Sequence, residues 1–258
     1  MKILKENKYL CTQNHIYNNY EKIYYFNFLT TLTAVGVSAQ NLQLHYDFGR
    51  HIYSTEEKGR QDVTATFEHF SADDLGSWFY FVDLDLDKDG VMGAYTEVSR
   101  EFNIAKATES SSFAAHVEFN GGMGRAGSYQ SAALFGGAWN GHNADFSTTY
   151  SVQAMYKQFF KQSGGYDAYA SFQLTGVWST TFANKACTFS GFIDLWRGEN
   201  AINHHGQLII LTEPQLWWNI TPKVSVGSEV EISNNFVYNF ANDKSFFINP
   251  TLAVKFNL

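Results

Sequence analysis

Asp62 to Gly90 reads DVTATFEHFSADDLGSWFYFVDLDLDKDG. In its first part Val63, Ala65 and Phe67 alternate with Thr64, Thr66 and Glu68. After the short stretch Ser71–Gly76, Val82, Leu84 and Leu86 alternate with Phe81, Asp83 and Asp85. A period of two puts the two sets on opposite faces of a strand. The end of the stretch imitates a calcium loop, with Asp85, Asp87, Asp89 and Gly90 at EF-hand positions 1, 3, 5 and 6. Position 12 then falls on Thr96, with Glu97 one residue late, and the flanks are strand-like rather than helical. The run therefore reads as a strand, an Asp/Gly turn over Asp87–Gly90, and a return strand carrying Glu97. No metal site and no cofactor are expected.

The same alternation recurs through the chain. Leu42, Leu44, Tyr46 and Phe48 are set against Gln43, His45 and Asp47. Phe113, Ala115, Val117 and Phe119 are set against Ala114, His116 and Glu118, and Val224, Val226, Val230 and Ile232 against Ser225, Gly227, Glu229 and Glu231. The expected strands are 41–50, 62–71, 76–86, 92–104, 111–120, 130–139, 144–157, 165–178, 185–197, 206–218, 223–234 and 246–257. Most reach the ~9–11 residues of a tilted membrane-spanning strand. No long helical pattern, internal repeat or domain linker interrupts them.

Composition agrees with one greasy face per strand. The 258 residues hold 23 Phe, 15 Tyr and 6 Trp but only 3 Pro and 2 Cys, and mean hydropathy is -0.26. Residues 1–39 differ from the rest. Lys2, Lys5, Lys8 and Lys22 precede an apolar run from Tyr24 to Val37, and Val37-Ser38-Ala39 supplies small residues. This pattern predicts a signal peptide over 1–39, removed on export, and one barrel domain over 40–258. Residues 40–258 then hold 14 basic and 23 acidic residues. Such an acidic chain argues against a nucleic-acid partner. Cys187 is the single cysteine left, so no intrachain disulfide is expected.

Alternation alone does not say which face meets lipid. Several features favour a 12-stranded antiparallel transmembrane β-barrel of the bacterial outer membrane over a secreted soluble barrel. The connections 49–61, 120–129, 198–206 and 234–245 are long, whereas 71–76, 105–110, 139–143 and 220–223 are short, and the two sets fall at opposite rims. The segment 179–184 and the short Asp87–Gly90 turn fit this asymmetry less well. Trp78, Trp139, Trp178, Trp196, Trp217 and Trp218 fall near strand ends, all but Trp196 at the periplasmic rim, as an interfacial girdle would place them. In the last strand Leu252, Val254, Phe256 and Leu258 share a face. Barrels of this kind commonly end on an aromatic, and Leu258 departs from that.

With the apolar sets against lipid, the interior is polar. The expected channel-lining residues are Glu68, Phe81, Asp83, Asp85, Tyr95, Glu97, Glu101, Glu118, Phe192, Asp194, Glu229 and Glu231. Carboxylates in that number attract cations and discourage anions. Twelve strands give a bore between a filled eight-stranded barrel and a 16-stranded porin. The expected partners are outer-membrane lipid and small hydrophilic solutes.

The segments DVTATFEHFSADDLGSWFYFVDLD (62–85), GAYTEVSREFNI (93–104), HYDFGR (45–50) and SGFIDLWRG (190–198) resemble the nucleoside-specific channel-forming outer-membrane proteins of the Tsx type. The resemblance covers about a third of residues 40–258 and rests on patterned strands, not on a catalytic signature. It implies a 12-stranded barrel and passive uptake of nucleosides through a narrow channel lined by aromatic and ionisable side chains.

Competing motifs are weak. Gly122–Gly127 matches G-x-G-x-x-G but lacks the following helix of a dinucleotide site. His204 and His205 are adjacent, with no spaced Cys/His set. A phospholipase-like, lipid-acting barrel enzyme would draw on His69 with Ser71, or on His142, but no triad signature surrounds either. The carboxylates are spread over too many strands for a glycosidase pair. The chain is expected not to be an enzyme. A closed structural or adhesion barrel is the other alternative.

Overall fold

The computed structural model describes residues 37–124, 127–162, 167–200, 205–237 and 244–258. Its strands are β1 (Val37–Asp47), β2 (Val63–Asp73), β3 (Gly76–Asp87), β4 (Gly90–Thr108), β5 (Ser111–Gly124), β6 (Gly127–Ser128) and β7 (Ala132–His142). They continue with β8 (Thr148–Phe159), β9 (Tyr169–Phe182), β10 (Cys187–Glu199), β11 (Gly206–Thr212), β12 (Gln215–Thr221), β13 (Val224–Asn234) and β14 (Phe246–Asn257). One short helix, α1 (Gly49–Ile52), follows β1.

Neighbours in sequence pair antiparallel, and β1 closes the sheet against β14, with Asn41 opposite Asn257 and Asp47 opposite Thr251. β11 and β12 are two halves of one spanning strand, since both pair with β10 and β13. The break falls at Glu213–Pro214, where proline has no N–H for the ladder. β6 is a two-residue extension paired to the end of β5. The result is a closed 12-strand antiparallel barrel, and each expected span overlaps one of its strands. The signal-peptide expectation over 1–39 lies outside the described residues except for Val37–Ala39, which pair with Ala72–Phe70 at the start of β1.

The connections 48–62, 125–131, 160–168, 200–205 and 235–245 leave one rim and 74–75, 109–110, 143–147, 183–186 and 222–223 the other. The ill-fitting segment 179–184 is mostly strand: β9 continues to Phe182, and Ala183, Asn184 and Lys185 turn the chain with φ of 51°, 53° and 73°. The Asp87–Gly90 turn remains short at the long-loop rim, with the Asp89 amide bonded to Asp87 Oδ1 at 2.7 Å.

The structure settles which face is which. Phe135, Val152, Leu216, Trp218 and Leu252 are more than half exposed on the outer face, while Gln43, Asn140, Asn249, Ser151, Ser225 and Ser233 are fully buried inside. That is the reverse of a water-soluble fold and matches a barrel whose outer band meets lipid.

The tryptophan girdle needs a correction. Trp78, Trp139, Trp178 and Trp218 point outward near the short-turn rim, but Trp217 is buried inside, its Nε1 donating to Gln215 Oε1 at 2.9 Å. Adjacent residues on a strand cannot share a face, so only one of Trp217 and Trp218 can meet lipid. Gly227 opposite makes the room: a Cβ there would come within 2.7 Å of the Trp217 ring. Trp196 also points inward and is buried.

Candidate functional site: the barrel interior

Strand parity places all twelve expected side chains on the inner face. One row across the sheet runs Glu68, Phe81, Glu97, Asn120, and a second runs Thr66, Asp83, Tyr95, Gly122. Asp85 lies opposite Thr64, Glu101 opposite His116, and Glu118 opposite Ser99. Phe192 lies opposite Val177 and Asp194 opposite Thr175; Glu229 faces Gln215 and Glu231 faces Asn249.

The nine carboxylates among them fall into two groups by surroundings. Glu101 and Glu231 are buried and fully engaged. Glu101 takes Asn140 Nδ2 at 2.6 Å and His116 Nδ1 at 3.3 Å, and the other nitrogen of His116 reaches Glu118 Oε2 at 3.2 Å. Glu231 takes Arg60 Nη2 at 3.0 Å and Asn249 Nδ2 at 3.1 Å. These two carboxylates hold the wall together. Glu68, Asp83, Asp85, Glu97, Glu118, Asp194 and Glu229 are half-buried and keep surface toward the lumen.

Half-buried Phe81 and Tyr95 share the side of the barrel that carries Asp83 and Glu97. Phe79 and Phe81 have ring centroids 6.1 Å apart, Phe81 and Tyr95 6.0 Å, and Tyr95 and Tyr129 6.4 Å. This ladder runs up the inner wall of β3 and β4 to the β6 loop. Tyr95 Oη donates to Glu97 Oε1 at 2.7 Å, and Thr66 Oγ1 to Asp83 Oδ1 at 2.5 Å. Glu97 lies within electrostatic reach of Glu118, Lys157 and Asp194. β4 and β10 lie five strands apart around the barrel, so these four groups face one another across the lumen. Lys157 is itself held by Gln173 Oε1 at 2.7 Å and lies 4.8 Å from the Trp196 ring centroid.

Two features of the long-loop half were not expected. Loop 48–62 folds toward the wall. Arg60 reaches Asp47 Oδ2 at 2.7 Å, Glu231 Oε2 at 3.0 Å and Glu57 Oε1 at 3.6 Å, while Asn249 Nδ2 donates to Glu57 at 3.0 Å. Burial raises the Glu57 carboxyl above its ordinary range, against the pull of Arg60 and Asn249. Burial alone would lower the Arg60 guanidinium, but Glu231 and Asp47 hold it above its usual range. Tyr53 packs edge-on to Phe247 at 5.2 Å and anchors the loop to β14. On the other side, Leu134, Met155, Phe159, Trp196, Ile209 and Leu211 form an apolar cluster inside the barrel, with Tyr169 and Phe192 against it.

Lys157 shares inward parity with Ser151 and Gln153, so sequence alternation contains it. Glu213 lies just before Pro214, in the break between β11 and β12, where no alternating run flags it. Arg60 sits in a loop and carries no periodic signal.

The competing motifs do not assemble. His69 lies on the outer face, stacked on Tyr80 at 4.9 Å, and its Nδ1 is buried without a hydrogen-bond partner. No hydrogen bond joins it to Ser71 among the described residues. His142 stacks on Phe146 at 3.8 Å in a short turn. Among the described residues no group of three His, Cys, Asp or Glu side chains could hold a metal ion. His204, and Arg125 and Ala126 of the glycine-rich motif, lie outside the described residues.

Comparison with solved structures gives the fold. The chain is similar to the NanC porin, with TM-score 0.57 and 13% identity over 85% of this chain and 100% of that one. It is also similar to the KdgM porin, with TM-score 0.50 and 12% identity over 86% and 99%. No curated protein matches the chain. The profile described as "Domain of unknown function (DUF5020)" matches residues 39–258, and the chain belongs to that family.

Proposed function

We propose that this protein is an outer-membrane channel for passive diffusion of small hydrophilic solutes, exported by a signal peptide over 1–39 and spanning the membrane as one barrel over 40–258. The supporting observation is the belt of lumen-facing carboxylates, Asp83, Glu97, Glu118 and Asp194, beside the Phe81–Tyr95 ring pair. Lumen-facing carboxylates that outnumber the nearby cations Lys157 and His116 favour cations and uncharged polar solutes over anions. Aromatic faces stack with flat rings, and carboxylates accept hydrogen bonds from hydroxyls. A solute with a flat base and a hydroxylated sugar meets both, so nucleosides are the proposed substrates, in line with the Tsx-type resemblance. Liposomes carrying the protein should swell in adenosine or cytidine faster than in an anionic sugar acid of similar size. Equal rates would contradict the proposed lining.

The apolar cluster around Trp196 and Leu211 favours a second reading, a barrel closed by its own side chains that serves structure or adhesion. A protein that forms no conducting pore, yet binds a partner through the long loops, would select it.

A further inference from the structure

Outside the lumen, a cleft of about 680 Å³ opens at the long-loop rim between loop 48–62 and the β3–β4 hairpin. Its floor is Tyr46, Val63 and Leu86. These stand opposite one another on β1, β2 and β3 with outward parity. Arg50, Lys58, Arg60 and Lys88 line it against Asp62 and Asp87. The four cations differ in what already engages them. Arg60 turns toward Asp47 and Glu231. Arg50 meets Asp62 at 3.1 Å, and His51 meets the same carboxylate at 3.3 Å. Lys88 touches Asp89 at 3.0 Å but is 86% exposed, so that pair contributes little. Lys58 is exposed, with no ion pair or hydrogen bond among the described residues. Lys58 and weakly paired Lys88 are thus the two cations of the lining left to meet an anion, on a chain of net charge -7.

Height in the membrane indicates the occupant. Trp78 marks the short-turn rim on β3, and Leu86 lies roughly 27 Å further along the strand, or about 20 Å along the normal at a barrel's tilt. The apolar band of such barrels is about 25 Å tall. The floor of the cleft therefore lies near the outer edge of that band, where acyl chains meet head groups. An apolar floor continuous with the lipid-facing wall, under the exposed Lys58 and Lys88, complements an amphiphile with an anionic head.

We propose that this cleft binds the phosphate groups of an outer-leaflet glycolipid. Lys58 and Lys88 are the phosphate partners, and Tyr46, Val63 and Leu86 meet the first acyl carbons. The inference rests on outer-membrane residence and not on what crosses the lumen.

The test uses the full-length protein purified from membranes in detergent, with lipid A, dephosphorylated lipid A and inorganic phosphate as probes and native mass spectrometry as readout. Lipid A should bind. The K58E/K88E variant and the dephosphorylated probe should each bind roughly tenfold more weakly, as expected when charge-assisted contacts are lost. Equal binding of lipid A by wild type and variant would overturn the proposal, and so would equal binding of the two lipids. Competition by inorganic phosphate at equal concentration would show a free-anion site and overturn the lipid assignment. Heat-modifiable gel mobility checks that each variant is folded, and K58Q/K88Q replaces one that is not. Membrane fractionation tests residence separately, so failure there is distinguishable from failure of the cleft.

Discussion

Tyr95 donates its hydroxyl proton to the Glu97 carboxylate across 2.7 Å, two positions along the same strand and on the same inner face. The bond fixes an aromatic ring beside an acid on the lumen wall. Glu97 also lies within electrostatic reach of Asp194 from the opposite wall. Replacing both acids with amides, Glu97→Gln and Asp194→Asn, should remove most of the preference for cations. Reversal potentials under a potassium chloride gradient measure it, and they should move toward zero.

Arg60 holds three carboxylates from β1, β13 and its own loop. Arg60→Ala leaves buried Asp47, Glu57 and Glu231 without their shared counter-ion. Breaking a buried pair by removing one partner typically costs about 3–5 kcal/mol. The variant should unfold at lower temperature in detergent, and its loop should become sensitive to protease near residue 58. An unchanged unfolding temperature would show that the ion cluster is not coupled to the fold.

Glu57 gives the docked loop a pH dependence. Its carboxyl is raised in the folded protein, chiefly by burial. The folded state therefore binds that proton more tightly than the unfolded chain does. Its contribution is greatest below the ordinary carboxylate range and is lost as pH rises through the raised value. Proteolysis of loop 48–62 should accelerate across that window in the wild type. In Glu57→Gln the acceleration should be absent.

Leu252 is 63% exposed on the outer face of β14. On a soluble protein an arginine there would be nearly neutral. Against lipid the same change costs about 2–4 kcal/mol near the bilayer midplane. Refolding of Leu252→Arg into lipid vesicles should lose stability of that order, and Leu252→Gln should lose less.

The strands and their parity were legible because a period of two is local: each residue's face follows from its neighbour's. The same rule sorts Glu68, Asp83, Glu97 and Glu229 onto one face without any structure. It also separates Trp217 from Trp218, which tryptophan counting alone misassigned to one girdle. Parity cannot show that Glu101 and Glu231 are consumed by His116, Asn140 and Arg60, because those partners come from other strands and from a loop. Nor does alternation show the apolar cluster within the lumen. Leu134, Met155, Trp196 and Leu211 look like breaks in polar runs until closure of the barrel brings them together. Alternation is the same in a soluble barrel, so the lipid-facing surface is legible in the sequence only through loop lengths, tryptophan placement and the last strand, and the exposure of Phe135, Val152 and Leu252 agrees with that reading.

Single-channel recording in planar bilayers shows whether the lumen conducts and selects. Wild type should give discrete, cation-preferring current steps that adenosine or cytidine interrupts, and Phe81→Ala/Tyr95→Ala should conduct without that interruption. Folded protein that inserts but carries no current, or current indifferent to nucleosides in both proteins, would rule out a nucleoside-selective channel.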